Sequence, residues 1–205
     1  MKSLRRVLST IAAFFGRRRS GSVEPMSELY FSYGSNMCPG RLREYEVNPE
    51  RPGQAAELRG YVLRFNKLST DGSGKANVMP SEGDVIWGVL YDITNEELAR
   101  LNDQEKGYTP QRLNIIGPSG EAQARVHVAD EPSDDTSLRP YCWYKRFLVQ
   151  GARVHGLPIE YRAMLEAVDA TEDPNRARNA RRRAILCGDA PSSGTGGENG
   201  RGQER

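Results

Sequence analysis

Three short stretches of this chain carry residue types that could do chemistry together. The first is Tyr33-Gly34-Ser35-Asn36, which follows the apolar and aromatic run Leu29-Tyr30-Phe31-Ser32. A glycine turn after a strand aims successive backbone N–H groups into one concavity, a cradle for a carboxylate or a developing oxyanion. The second is Glu105, in Leu101-Asn102-Asp103-Gln104-Glu105-Lys106-Gly107-Tyr108. It falls at the C-terminal end of a short helical pattern, where the helix dipole disfavours negative charge, so this carboxylate is either solvated or has a task. The third is Tyr144, followed by Gly156-Leu157-Pro158-Ile159-Glu160-Tyr161; its hydroxyl either packs in the core or meets a ligand. Singly, each has an ordinary explanation. Gly-Ser-Asn after a strand is commonly a plain turn, and a Glu in an acidic helix end is commonly solvated.

The elements that must position these residues follow from periodicity. Leu29 to Tyr33 reads as a strand stopped by Gly34-Ser35-Asn36, and Tyr61 to Leu68 as a second, with the Thr70 to Gly74 loop after it. Val85 to Ile93 alternates, with Val85, Trp87, Val89, Tyr91 and Ile93 expected on one face. A capping box, Thr94 with Glu97, then opens a helix buried through Leu98 and Leu101. Leu113 to Ile116 and Ala122 to Val128 flank Pro118-Ser119-Gly120 as a hairpin. Beyond the acidic loop Asp130 to Asp135, Trp143 to Val149 reads as a helix ended by Gly151, and Pro158 opens another. Strands first and helices last, with many short strands and glycines, predict an α+β domain. Its mixed sheet should be small and strongly curved or closed, barrel-like, with helices packed around it.

Charge divides the 205 residues. Residues 1–25 carry six Lys/Arg against one Glu, residues 26–175 carry 16 against 23 Asp/Glu, and residues 176–205 carry seven against three. An acidic globule between basic ends argues against nucleic acid as the main substrate, because phosphate contacts need a basic face. The expected organisation is a basic, mobile extension over 1–26, one domain over 27–175, and a short basic helix with a disordered tail over 176–205. Val7 to Phe15 is about half the ~20 residues of a bilayer-spanning helix, so no transmembrane segment is expected. Leu, Ile and Phe opposite Arg in the extension would permit at most weak contact with a membrane surface. Three cysteines, Cys38, Cys142 and Cys187, form an odd set without metal-ligand spacing, which predicts a cytoplasmic protein with reduced thiols and no metal. His127 and His155 read as a packing residue and a loop residue.

The Leu29 to Met37 stretch, Val85-Ile86-Trp87-Gly88-Val89-Leu90-Tyr91, Leu101 to Glu105, Tyr144-Lys145 and Gly156-Leu157-Pro158 occur in one order and spacing. That series resembles the γ-glutamylcyclotransferase family over roughly Glu28 to Ala170. The resemblance implies a small closed sheet with surrounding helices, and cyclisation of a γ-glutamyl amide, without metal or organic cofactor, releasing 5-oxoproline and a free amine. It implies that Glu105 is the catalytic glutamate. The Tyr30, Tyr33, Gly34, Ser35 and Asn36 segment would hold the γ-glutamyl group through its backbone amides, and Tyr144 would contact the substrate. The chemistry makes matching demands: the substrate's own amine attacks, so no protein nucleophile is needed, while one carboxylate can take and return the proton. Asn102, Lys106 and Pro110 depart from the family's usual Asp, Gly and aromatic residue, and Lys106 stands beside Glu105. Asp103 and Glu97 are the alternative carboxylates, Glu97 being better explained as the cap partner. The competing function is a non-catalytic binding or interaction module on the same fold; leaving group and oligomeric state stay open.

Overall fold

A computed structural model describes residues 26–185 and Cys187. The N-terminal extension, with its expected membrane contact, and the tail after Cys187 lie outside the described residues. Five strands close into a mixed barrel in the order β1-β3-β2-β4-β5. They are β1 Ser27–Ser32, β2 Gln54–Leu68, β3 Gly74–Thr94, β4 Tyr108–Gly117 and β5 Gly120–Ala129. β1 runs antiparallel to β3, with Tyr30 opposite Tyr91, and parallel to β5, with Tyr30 opposite Arg125. β2 meets β4 at Glu57 and Ile116, and β4 with β5 forms the expected hairpin. The curved, closed sheet read from the sequence is therefore the fold. No helix among the described residues is long and apolar enough to cross a membrane.

β2 and β3 are longer than apolar alternation suggests, because polar residues such as Gln54, Arg59, Lys75 and Asn77 occupy the added lengths and mask the period. The pairing register slips between Arg59 and Tyr61. On β3 the covered face changes there: Val85 is exposed and Ile86 buried, and the expected alternation holds only through Val89, Tyr91 and Ile93. Lys75 pairs with Asp71 at 2.9 Å and sits over the rings of Trp143 and Tyr144 at 4.5 and 4.8 Å, fastening the ribbon tip to a helix.

The helices are α1 Pro39–Glu44, α2 Asn95–Gln104, α3 Cys142–Val154, α4 Ile159–Ala167 and α5 Arg176–Ala184. The capping box is present, with Glu97 N–H donating to Thr94 Oγ1 at 3.2 Å and Thr94 N–H to Glu97 Oε2 at 2.9 Å. α3 does not end at Gly151. A Cβ on Gly151 would lie 2.6 Å from the backbone carbon of Met37, so this glycine lets α3 approach the turn after β1 rather than stopping the helix. Pro158 opens α4 as expected. His155 is no free loop residue: it caps α3 and bonds Tyr91 Oη at 3.0 Å and the Gly53 carbonyl at 3.1 Å.

α5 buries no side chain of its own, and its arginines hold it instead. Arg178 donates to buried Asp173 at 2.6 and 2.7 Å, Arg182 lies over Trp143 and reaches Glu44, and Arg183 reaches Glu172. The Arg178 guanidinium, with Trp143 Nε1–H beside it, holds the Asp173 carboxyl down at about 2.

The thiols are not all reduced. Cys38, which caps α1, is bonded to Cys187 across 149 residues, and Cys142 is the free cysteine. The odd cysteine count therefore stops arguing for a reducing compartment. Thiol titration of denatured, unreduced protein is expected to find one group per chain, and Cys187→Ser should cost about 2–4 kcal/mol of unfolding free energy in urea melts. Gly151→Ala should cost about 1–3 kcal/mol in the same assay, through overpacking against Met37.

Candidate active site

β1 delivers the first wall. Tyr30 and Ser32 share one face of the strand by its period of two, while Phe31 points the other way into the core. The chain then makes a 3₁₀ turn over Ser35–Met37, capped by Gly34, in which Met37 N–H donates to the Gly34 carbonyl at 3.1 Å. The N–H groups of Gly34, Ser35 and Asn36 precede the first bond of that turn and have no partner among the described residues. Gly34 has φ −117°, so its requirement is space and not a left-handed backbone. A Cβ there would stand 3.3 Å from the Tyr144 hydroxyl.

α2 delivers the carboxylate. Glu105 caps its C-terminus, half-buried, with its N–H donating to the Leu101 carbonyl at 3.0 Å. Asn36 Nδ2 donates to Glu105 Oε1 at 2.7 Å and to Tyr30 Oη at 3.1 Å, so the carboxylate is tied to the turn. Between them lies a cavity of about 30 Å³, lined by Tyr30, Ser32, Tyr33, Gly34, Ser35, Asn36, Glu105 and Tyr144 together with Ala76, Tyr108 and His127. Every residue expected at the site from sequence faces this one cavity. Asp103 is exposed, and Glu97 is spent on the cap, where it also accepts from Asn48 N–H at 2.7 Å.

Four lining residues were not expected there. Ser32 follows from the period of β1, two residues past Tyr30. Tyr108 sits three residues past Glu105 and donates to the Ala76 carbonyl at 2.7 Å. Ala76, near the tip of the β2–β3 ribbon, lines the cavity, and its N–H donates to Tyr144 Oη at 3.1 Å. His127, read as a packing residue, is indeed buried, yet its ring stands edge-on to Tyr30 and Tyr108 at the cavity wall. Its carbonyl accepts a hydrogen bond from Tyr33 Oη. The loop Thr70 to Lys75 docks on α3 instead of lining this cavity, and residues of the Asp130 to Arg139 loop line a separate groove with the outer ribbon.

The electrostatics are those of a nearly closed site. Burial, reinforced by the Glu105 charge, pushes the Tyr30 hydroxyl far above its ordinary range, and burial does the same for Tyr33, Tyr108 and Tyr144. These hydroxyls stay protonated throughout the neutral range. Burial lowers His127, with Glu105 acting in the opposite sense. Lys106 is exposed and forms no ion pair among the described residues. Asn102, the departure one turn before Glu105, pairs its Oδ1 with His127 Nε2 at 2.9 Å.

Known proteins are similar to this chain in sequence and fold. A family model described as the AIG2-like family matches residues 85–165. The chain is 29% identical over 171 residues to γ-glutamylcyclotransferase of Bos taurus, spanning 78% of this chain and 88% of that relative. It is 28% identical over 166 residues to γ-glutamylcyclotransferase of Homo sapiens, spanning 71% and 81%. A solved γ-glutamyl cyclotransferase structure superposes with a TM-score of 0.64 at 27% identity, over 71% of this chain and 90% of the other. The solved structure of the uncharacterized protein loc79017 from Homo sapiens gives 0.62 at 29% identity, over 71% and 89%. In sequence and in fold, this chain is similar to the γ-glutamylcyclotransferase/AIG2-like family.

Proposed function

We propose that the cavity between the turn after β1 and the end of α2 cyclises a γ-glutamyl amide, releasing 5-oxoproline and a free amine. The observation that carries this reading is the Asn36 bridge. A carboxylate held 2.7 Å from an amide of the turn lines the same small cavity as three residues whose backbone N–H groups have no partner among the described residues. An acceptor and donors at one cavity are what the reaction requires.

In the proposed reaction the α-carboxylate of the γ-glutamyl group lies against the N–H groups of the Gly34 to Asn36 turn. Glu105 takes a proton from the α-ammonium. The freed amine forms a bond to the γ-carbonyl carbon, whose oxygen gathers charge against the same turn. The bond from that carbon to the leaving nitrogen then breaks, and Glu105 returns its proton to the departing amine. The ring nitrogen sheds a second proton as it becomes the lactam N–H, and that proton passes, again through Glu105, to the released amine, which departs as its ammonium. The buried, protonated hydroxyls of Tyr30 and Tyr144 form uncharged polar walls that leave Glu105 as the cavity's anion. Folding the glutamyl chain so that amine and carbonyl meet supplies much of the acceleration, up to ~7–11 kcal/mol in favourable intramolecular systems.

The leaving amine is read as an amino acid or another small amine, given relatives named for γ-glutamyl transfer. The test is 5-oxoproline release from γ-Glu-Ala and γ-Glu-ε-Lys by purified protein and by Glu105→Gln. The variant should keep the wild-type melting temperature and lose about 10²–10⁴-fold in kcat. Retention of activity within about tenfold would remove Glu105 from the role of acid and base. A wild-type protein that binds these compounds without releasing 5-oxoproline would instead be a binding module.

A further inference from the structure

Buried polar atoms are almost always paired, so a cluster of unpaired ones marks where a partner belongs. Among the described residues, eight enclosed side-chain nitrogen or oxygen atoms lack a hydrogen-bond partner. Three of them, Ser32 Oγ, Asn36 Oδ1 and His127 Nδ1, belong to residues lining the single cavity that also holds Glu105.

All three are able to accept. Asn36 has committed its amide nitrogen to Tyr30 and Glu105, leaving the oxygen free. His127 has its tautomer fixed by Asn102: the amide oxygen at 2.9 Å from Nε2 only accepts, so Nε2 carries the proton and Nδ1 bears a lone pair. The residues lining the cavity thus offer donors, the N–H groups of Gly34, Ser35 and Asn36, and acceptors, Glu105 with these three atoms. That set complements a zwitterionic amino-acid head group, its carboxylate taken by the donors and its ammonium by the acceptors.

We infer that His127 Nδ1, held as an acceptor by Asn102, binds the α-ammonium of the substrate together with Glu105, Asn36 Oδ1 and Ser32 Oγ. This rests on the γ-glutamyl reading above and gives it a selectivity: the site takes a ligand with a free α-amine and rejects the same molecule without it. It also gives the departure at position 102 a physical reason. An Asp there would draw a second proton onto the imidazole, turning Nδ1 into a donor that faces the ammonium. The groups around the ring are Glu105 and Asn102 from α2, Tyr30 from β1, Tyr33 from the turn and Tyr108 from β4, with Lys67 of β2 beyond the Tyr108 ring. Glu105 is the only charged residue among those that line the cavity.

The experiment compares γ-Glu-Ala with glutaryl-alanine, which has hydrogen in place of the α-ammonium and cannot cyclise. His127→Phe should raise KM for γ-Glu-Ala about tenfold or more while the inhibition constant of glutaryl-alanine stays the same, since one charge-assisted hydrogen bond is lost only with the first. His127→Asn, whose side-chain oxygen can take the Nδ1 position, should recover part of the loss. Asn102→Asp, at an exposed position, serves if the His127 variants do not fold. Its KM should be raised at low pH, where the imidazole is charged, and fall toward wild type as pH passes the raised histidine pKa. Equal effects on both compounds, or an Asn102→Asp KM that matches wild type from about pH 5 to about pH 9, overturn the inference while leaving cyclisation intact. If the wild type releases no 5-oxoproline, cyclisation itself fails. γ-Glu-Ala, then unconsumed, can be titrated calorimetrically, and equal binding of the two compounds, or none, overturns the inference as well.

Discussion

The whole site depends on one short polar contact, the amide of Asn36 against the carboxylate of Glu105. It joins segments 69 residues apart, one the turn after β1 and the other the capped C-terminal end of α2. Without it the carboxylate would have no reason to stay in a cavity, since the helix terminus itself repels negative charge. The same amide holds the Tyr30 hydroxyl, so wall, base and turn share a single anchor. Everything packed behind that anchor keeps it from moving. α3 approaches Met37 closely enough that only glycine fits at 151, and Tyr91 donates to the Met37 carbonyl from the barrel side at 3.2 Å. An ordered anchor matters because a fixed dipole stabilises charge without reorganising when charge appears.

Much of this was legible in the residues. The Leu29 to Phe31 run ended by Gly34, the Thr94/Glu97 cap and the Pro118 to Gly120 hairpin are local devices, encoded within a few positions, and the sequence states them directly. Glu105 could be placed at a helix end for the same reason. What the sequence concealed was long-range. Ala76 meets the cavity from the tip of a long ribbon and Tyr108 from the first residue of β4, and a polar strand shows no period to reveal its length. His127 lies on a strand like any packing histidine; only the fold sets it beside Glu105 and opposite Asn102. Gly151 looked like a helix stop because glycine commonly is one, whereas here it answers to a neighbour 114 positions earlier in the chain.

Charge is distributed to match. The acidic middle of the chain leaves a single carboxylate in the cavity, surrounded by hydroxyls that burial keeps neutral and by an imidazole that burial discharges. Of the five arginines of α5, Arg178, Arg182 and Arg183 are consumed in holding the helix. Those arginines lie against Asp173, Glu44, Glu172 and the face of Trp143, which accounts for a helix that stays in place with no apolar side of its own.

The bond between Cys38 and Cys187 turns most of the domain into a covalent ring. A protease that nicks an exposed loop inside it, such as Asp134 to Ser137, would sever the backbone without releasing a fragment. The clipped molecule would persist as two tethered chains, indistinguishable by electrophoretic mobility from the uncut protein until a reductant separates them.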